Sequence, residues 1–137
     1  MIGKPYYDVN IDYINWVWLS CNKNAIPILE EHLDKVNWEY FSRHPYAIHI
    51  LEKNLDKVDW EMLCMNDNAI RILEKNKDKI KWDYLCMNNN SIHLIEENLD
   101  KIEDDYWEYL SYNKSMIKLI EKHPDKIKWK YLIKKDH

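Results

Sequence analysis

Glycine is nearly missing from this sequence, with one residue, Gly3, in 137. Turn-rich β architectures need glycine for positive φ at their hairpins, so its scarcity argues against them and favours an all-α chain. No uninterrupted apolar run approaches the roughly 20 residues needed to span a bilayer, and the opening MIGKPYYDVN has no apolar core of signal-peptide length. The expectation is a soluble, cytoplasmic protein with no membrane partner. Cys21, Cys64 and Cys86 are odd in number and show no CxxC spacing, which suits free thiols in a reducing compartment better than a disulfide framework.

What is present is a core's worth of apolar and aromatic residues. The 46% apolar composition, with seven Trp and ten Tyr, excludes global disorder and fits one domain. Trp16, Trp38, Trp60, Trp82, Trp107 and Trp129 are spaced by 22 residues, except for one step of 25 between Trp82 and Trp107. Fixed self-similarity at such a period signals a solenoid. The expected architecture is therefore an α-solenoid of five 22-residue two-helix repeats plus an N-terminal half repeat. Residues 1–137 form a single repeat domain: an N-terminal half repeat or cap at 1–21, repeats at 22–43, 44–65, 66–87, 88–112 and 113–134, and a tail at 135–137.

Each repeat opens with a segment whose columns begin at Ala25, Ile26, Ile28 and Leu29, offsets that fill an arc of about 160° on a helix. This amphipathic helix A is expected to run about ten residues. Asn24, Asn68, Asn90 and Ser115 are its candidate N-caps, and Pro27 and Pro45 are placed in its first turn. His32, Asn54, Asn76, Asn98 and His123 mark its end, where Asn tolerates the left-handed conformation, and Pro124 blocks continuation. The second segment, DKVDWEMLC in residues 56–64, leaves few polar directions free and reads as a buried helix B. Asp34, Asp56, Asp78, Asp100 and Asp125 are its candidate N-caps, and Trp38, Trp60 and Trp82 are expected to be largely buried. Ser20, Ser42, Cys64, Cys86 and Ser111 share one column, and a small side chain in every repeat implies close helix approach. A leucine-rich-repeat horseshoe has a compatible period, but its LxxLxLxxN strand is missing.

The stretch NDNAIRILEKNKDKIKWDYL (66–85) resembles the short Trp-containing repeats abundant in proteins of giant DNA viruses of amoebae. The resemblance covers nearly the whole chain. It implies a viral protein made in the host cytoplasm, from a functionally uncharacterised family with no catalytic residues to carry over. The Glu103–Asp105 insertion and the incomplete first unit depart from the regular pattern.

Chemistry is sparse. No CxxC, HxxxH or HExxH spacing brings metal ligands onto one turn, and there is no Gly-rich phosphate loop or GxSxG elbow. The column Glu30, Glu52, Glu74, Glu96 and Glu121 could pass for a row of acid–base pairs, but a device copied five times is structural in character. The reading is non-enzymatic, with no catalytic, cofactor-binding or metal residues and no cofactor.

Charge is unevenly distributed. Residues 88–112 hold seven acids against one Lys, for −6, and residues 113–137 hold eight Lys against three acids, for +5. Either the acidic Glu103, Asp104 and Asp105 ridge or the basic end steers a charged partner, or neighbouring repeats neutralise each other. Trp129 and Tyr131 beside those lysines lie in core columns and the chain as a whole is acidic, so nucleic acid is disfavoured as a partner. His49, Arg71 and His93 share a helix A column with Pro27 and Lys118, a mixture that fits solvated surface. The expected function is a protein–protein interaction scaffold, with Glu103, Asp104, Asp105, His49, Arg71 and His93 as candidate partner-binding residues. The alternative is a self-associating structural protein of a virion or viral factory, with Tyr6, Tyr7 and Tyr13 as a cap or an adhesive face. The sequence leaves monomer and homo-oligomer both open.

Overall fold

The computed structural model describes residues 14–127, so Asp12, Tyr6, Tyr7, Tyr13, Trp129 and Tyr131 lie outside the described residues. The described chain is all-helical, with no strand. Ten short α-helices run in order: α1 (Trp16–Leu19), α2 (Ile26–Glu31), α3 (Trp38–Ser42), α4 (Ile48–Glu52), α5 (Trp60–Cys64), α6 (Ile70–Lys75), α7 (Trp82–Leu85), α8 (Ile92–Glu96), α9 (Tyr106–Tyr112) and α10 (Ile117–Lys122). The even-numbered members are the A helices and the odd-numbered members the B helices. Short 3-10 turns occupy Lys77–Lys79, Leu99–Lys101, Lys114–Met116 and Pro124–Lys126.

The A helices are five or six residues long, half the expected length. Three of the five end on a side-chain bond. The side-chain amides of Asn54, Asn76 and Asn98 each donate to the carbonyl four residues earlier, on Ile50, Ile72 and Leu94, at 2.8 Å. A side chain that satisfies a terminal carbonyl lets the backbone leave the helix there. The left-handed conformation expected at these positions is not used: φ is −134° at His32 and Asn76, and no described residue has positive φ.

The caps also differ from expectation. Asn15, Asn37 and Asp59 precede the B helices with extended backbone, and each accepts from the amide three residues on, at 3.0, 3.1 and 3.0 Å. That is N-cap geometry. The aspartates of the DK pairs sit three residues before these caps, and Asp78, Asp100 and Asp125 lie inside 3-10 turns. The A helices start at Ala25, Ala47, Ala69, Ser91 and Met116 without any side-chain cap. Asn68 and Asn90 instead donate across repeats, to the carbonyls of Pro45 and Asp67 at 2.9 and 2.8 Å. Pro27 is in the first turn of α2, but Pro45 lies before α4.

The core follows the helix A columns closely. The Ala25, Ile28 and Leu29 columns are buried in all five repeats, while the Ile26 column is half-buried and ends in Ile117, which is 54% exposed. Val36, Val58, Ile80 and Ile102 close the core between A and B, and Phe41, Leu63, Leu85 and Leu110 are fully buried from the B side. Each such burial stabilises by about 1.5–3 kcal/mol before entropy is counted. The tryptophan column is shallower than expected. Trp38, Trp60 and Trp82 are only half-buried at the rim, and among the described tryptophans only Trp107 is buried. Imidazoles lie against two members of this column, His32 on Trp16 at 5.5 Å and His123 on Trp107 at 5.3 Å.

Polar ties join consecutive repeats. B helices pack on their successors, α3 on α5, α5 on α7 and α7 on α9. The small column bonds across these contacts. Ser20 and Ser42 donate to the carbonyls of Trp16 and Trp38 at 2.6 Å and accept from the amides of Asn37 and Asp59 at 2.9 and 2.8 Å. Cys64 Sγ accepts from the Lys81 amide at 3.3 Å in the same way. A second line runs through the first residue of each repeat. Asn66 Nδ2 donates to the carbonyls of Ser42 and His44, Asn88 Nδ2 to those of Cys64 and Asn66, and Asn113 Nδ2 to those of Cys86 and Asn88. Their Oδ1 atoms accept from the amides of Asn68, Asn90 and Ser115, so both ends of each buried amide are used.

Candidate interaction surfaces

Because the buried columns consume one side of each A helix, the residue after Ile26, Ile48, Ile70, Ile92 and Ile117 points to solvent. His49, Arg71 and His93 are all exposed there. His49 Nε2 donates to the Glu30 carboxylate of the preceding repeat at 2.7 Å. His93 is freer, with its Nδ1 3.9 Å from Glu96 and a side chain 88% exposed. An open groove of about 910 Å³ lies between α8 and α10, lined by Ile92, His93, Glu96, Lys114, Lys118 and Lys122 among others. Of the six sequence candidates only His93 reaches it. The sequence reading treated the lysines only as part of the basic C-terminal end, although the four-residue spacing of Lys118 and Lys122 on α10 is a same-face signal.

The acidic insertion occupies a separate place. Glu103, Asp104 and Asp105 form the exposed turn before α9, and the amides of Tyr106, Trp107 and Glu108 bond to their carbonyls at 2.9, 3.3 and 3.3 Å. The three added residues thus open the helix by about one turn. Ile102 and Trp107 keep their core positions, at 8% and 4% exposure. Asp104 accepts from Lys126 of the last repeat at 2.8 Å, and this bond raises the Lys126 pKa above its ordinary value. Lys122 bonds Glu96 at 3.3 Å. Both ion pairs join the two oppositely charged repeats, and both are exposed enough that each contributes little to stability.

The B helices present an unexpected surface. Trp18 is 62% exposed, Tyr40 47% and Tyr109 43%, with Met62 and Tyr84 half-buried in the same column. A helix apolar nearly all round was expected to be buried. The neighbouring column, Val17, Glu39, Glu61, Asp83 and Glu108, was the signal against that, since carboxylates in four repeats keep that edge in water. The Glu61 carboxylate stands close enough to Tyr84 to raise its phenol pKa above the ordinary value, helped by partial burial and Asp83.

Among the described residues no three His, Cys, Asp or Glu side chains are placed to hold a metal ion. Cys64 and Cys86 are buried free thiols, and burial pushes their pKa up to about 11 and about 12, away from thiolate chemistry. Cys21 is exposed. No described helix is long and apolar enough to cross a membrane. No family model matches the chain, and neither a curated protein nor a solved structure matches it.

Proposed function

We propose that this chain is a non-enzymatic protein–protein interaction scaffold, an α-solenoid of five two-helix repeats plus an N-terminal half repeat. One observation carries the reading: positions that tie repeats together are nearly uniform, while the exposed helix A column changes chemistry from Pro27 to His49, Arg71, His93 and Lys118. A repeated frame that displays a different side chain at each step suits recognition of one extended partner surface. The resemblance of residues 66–85 to giant-virus repeats supports a viral origin and a site of action in the host cytoplasm. The acidic chain favours a protein partner over nucleic acid.

The test is quantitative capture from infected amoebae with the wild-type chain, a His49→Glu/Arg71→Glu/His93→Glu variant and an Asp104→Lys/Asp105→Lys variant. Loss of one partner in either variant, with the melting temperature nearly unchanged, is the expected result. Equal capture by all three chains overturns these two surfaces. A concentration-dependent oligomer in light scattering favours instead the self-associating structural protein of a virion or viral factory.

A further inference from the structure

We propose that the B-helix face is a docking surface for an extended, arginine-rich or lysine-rich segment of a partner protein. This deepens the scaffold reading and rests on it. The face is built from two adjacent columns. Trp18, Tyr40, Met62, Tyr84 and Tyr109 give one large side chain per repeat, three of them more than 40% exposed. Glu39, Glu61, Asp83 and Glu108 run beside them, and none of these four carboxylates forms an ion pair among the described residues. The two columns meet between repeats at Glu61 of α5, which stands beside Tyr84 of α7 and raises its phenol pKa. At the α9 end, Met87, Tyr109 and Tyr112 border a hollow of about 360 Å³, room for an aliphatic stem whose charged head must extend away from Lys114 on the same lining.

Charge complementarity selects the occupant. From cap to cap the B helices carry Glu39, Asp59, Glu61, Asp83, Asp105 and Glu108 against only Arg43 and Lys81. An anionic ligand would meet carboxylates on each B helix from α3 to α9. A guanidinium or ammonium can lie over an exposed aromatic ring while pairing with the carboxylate beside it, and aromatic residues are the types that dominate binding energy at interfaces. The chain already makes one such contact, with Lys57 Nζ 5.8 Å from the Trp38 ring centroid. One side chain per repeat requires a ligand that continues along the row, so an extended segment fits better than a compact charge.

The test uses the full chain and fluorescently labelled octa-arginine, with octa-glutamate as control, followed by fluorescence anisotropy. Octa-arginine should bind and octa-glutamate should not. Glu39→Lys/Glu61→Lys should weaken octa-arginine binding at least tenfold. Tyr40→Ser/Tyr109→Ser, which leaves charge untouched, should weaken it about threefold or more. Glu52→Lys/Glu74→Lys changes net charge equally on exposed A-helix positions and should have little effect. The proposal is overturned if octa-arginine does not bind, if both charge reversals weaken it equally, or if the aromatic variant binds as wild type. Capture of a native partner lost only in the helix A variant would keep the scaffold reading and discard this face, whereas a concentration-dependent oligomer with no peptide binding discards both. Circular dichroism of each variant confirms that the fold is retained.

Discussion

Asn88 Nδ2 donates to the carbonyl of Asn66 at 2.9 Å, so the opening residue of one repeat is held by the opening residue of the one before it. The same nitrogen reaches the Cys64 carbonyl at 2.9 Å, and the residue is fully buried. Asn88→Ala would strand the Cys64 carbonyl and the Asn90 amide, while the Asn66 carbonyl keeps its bond from the Ala69 amide at 3.0 Å, for a cost of about 2–4 kcal/mol in urea unfolding. Asn88→Asp should be no better at neutral pH, because it turns a carboxylate oxygen toward two carbonyl oxygens. A midpoint unchanged by either substitution would show that the ladder contributes nothing to stability.

His44 stands where the other repeats have Asn. Its Nδ1 accepts from the Tyr46 amide at 3.1 Å, which leaves Nε2–H to donate to the Asn22 carbonyl at 3.0 Å. Asparagine can make both bonds, and the loss of the imidazole packing on Phe41 is modest. His44→Asn should therefore lie within about 1 kcal/mol of wild type, while His44→Ala should cost about 2 kcal/mol or more. Thermal unfolding of the two variants side by side decides it, and equal losses would deny the histidine its ladder role.

The tryptophans should rank by burial. Trp107→Ala removes a side chain only 4% exposed and should cost about 3–5 kcal/mol. Trp60 is half-buried, so Trp60→Ala should cost less, about 1–3 kcal/mol after discounting the wet part of the ring. Leu63→Ala, at a fully buried position of the same helix, should match or exceed Trp60→Ala. The reverse order in chemical denaturation would mean that the tryptophan rim is the true core.

Thiol chemistry and pH give an independent check. Cys21 should react with a disulfide reagent in the folded chain, and Cys64 and Cys86 only on unfolding. Burial raises their pKa from 9.0 to about 11 and about 12, so above pH 9 the unfolded chain loses these protons first. The stability they contribute is complete below pH 9 and is lost as pH rises toward 11 and 12. Between pH 8.5 and 10.5 the wild type should lose more stability than a Cys64→Ser/Cys86→Ser chain, and parallel losses would refute the burial argument.

Several features were legible in the sequence because their causes are local. The all-helical class, the buried Ala25, Ile28 and Leu29 columns and the small column from Ser20 to Ser111 all follow from residue spacing on one helix. The three-residue insertion was also readable, since about one added turn leaves Ile102 and Trp107 facing the same way. Only the tertiary structure decided which polar groups tie the repeats, because the carbonyls that Asn66 holds lie 24 and 22 residues earlier and no local pattern names them. It likewise decided the depth of each apolar residue. Helical periodicity gives a direction around the axis but not how far a neighbouring helix extends over it, so Leu63 is sealed by adjacent B helices while Trp60 and Tyr40 reach the rim.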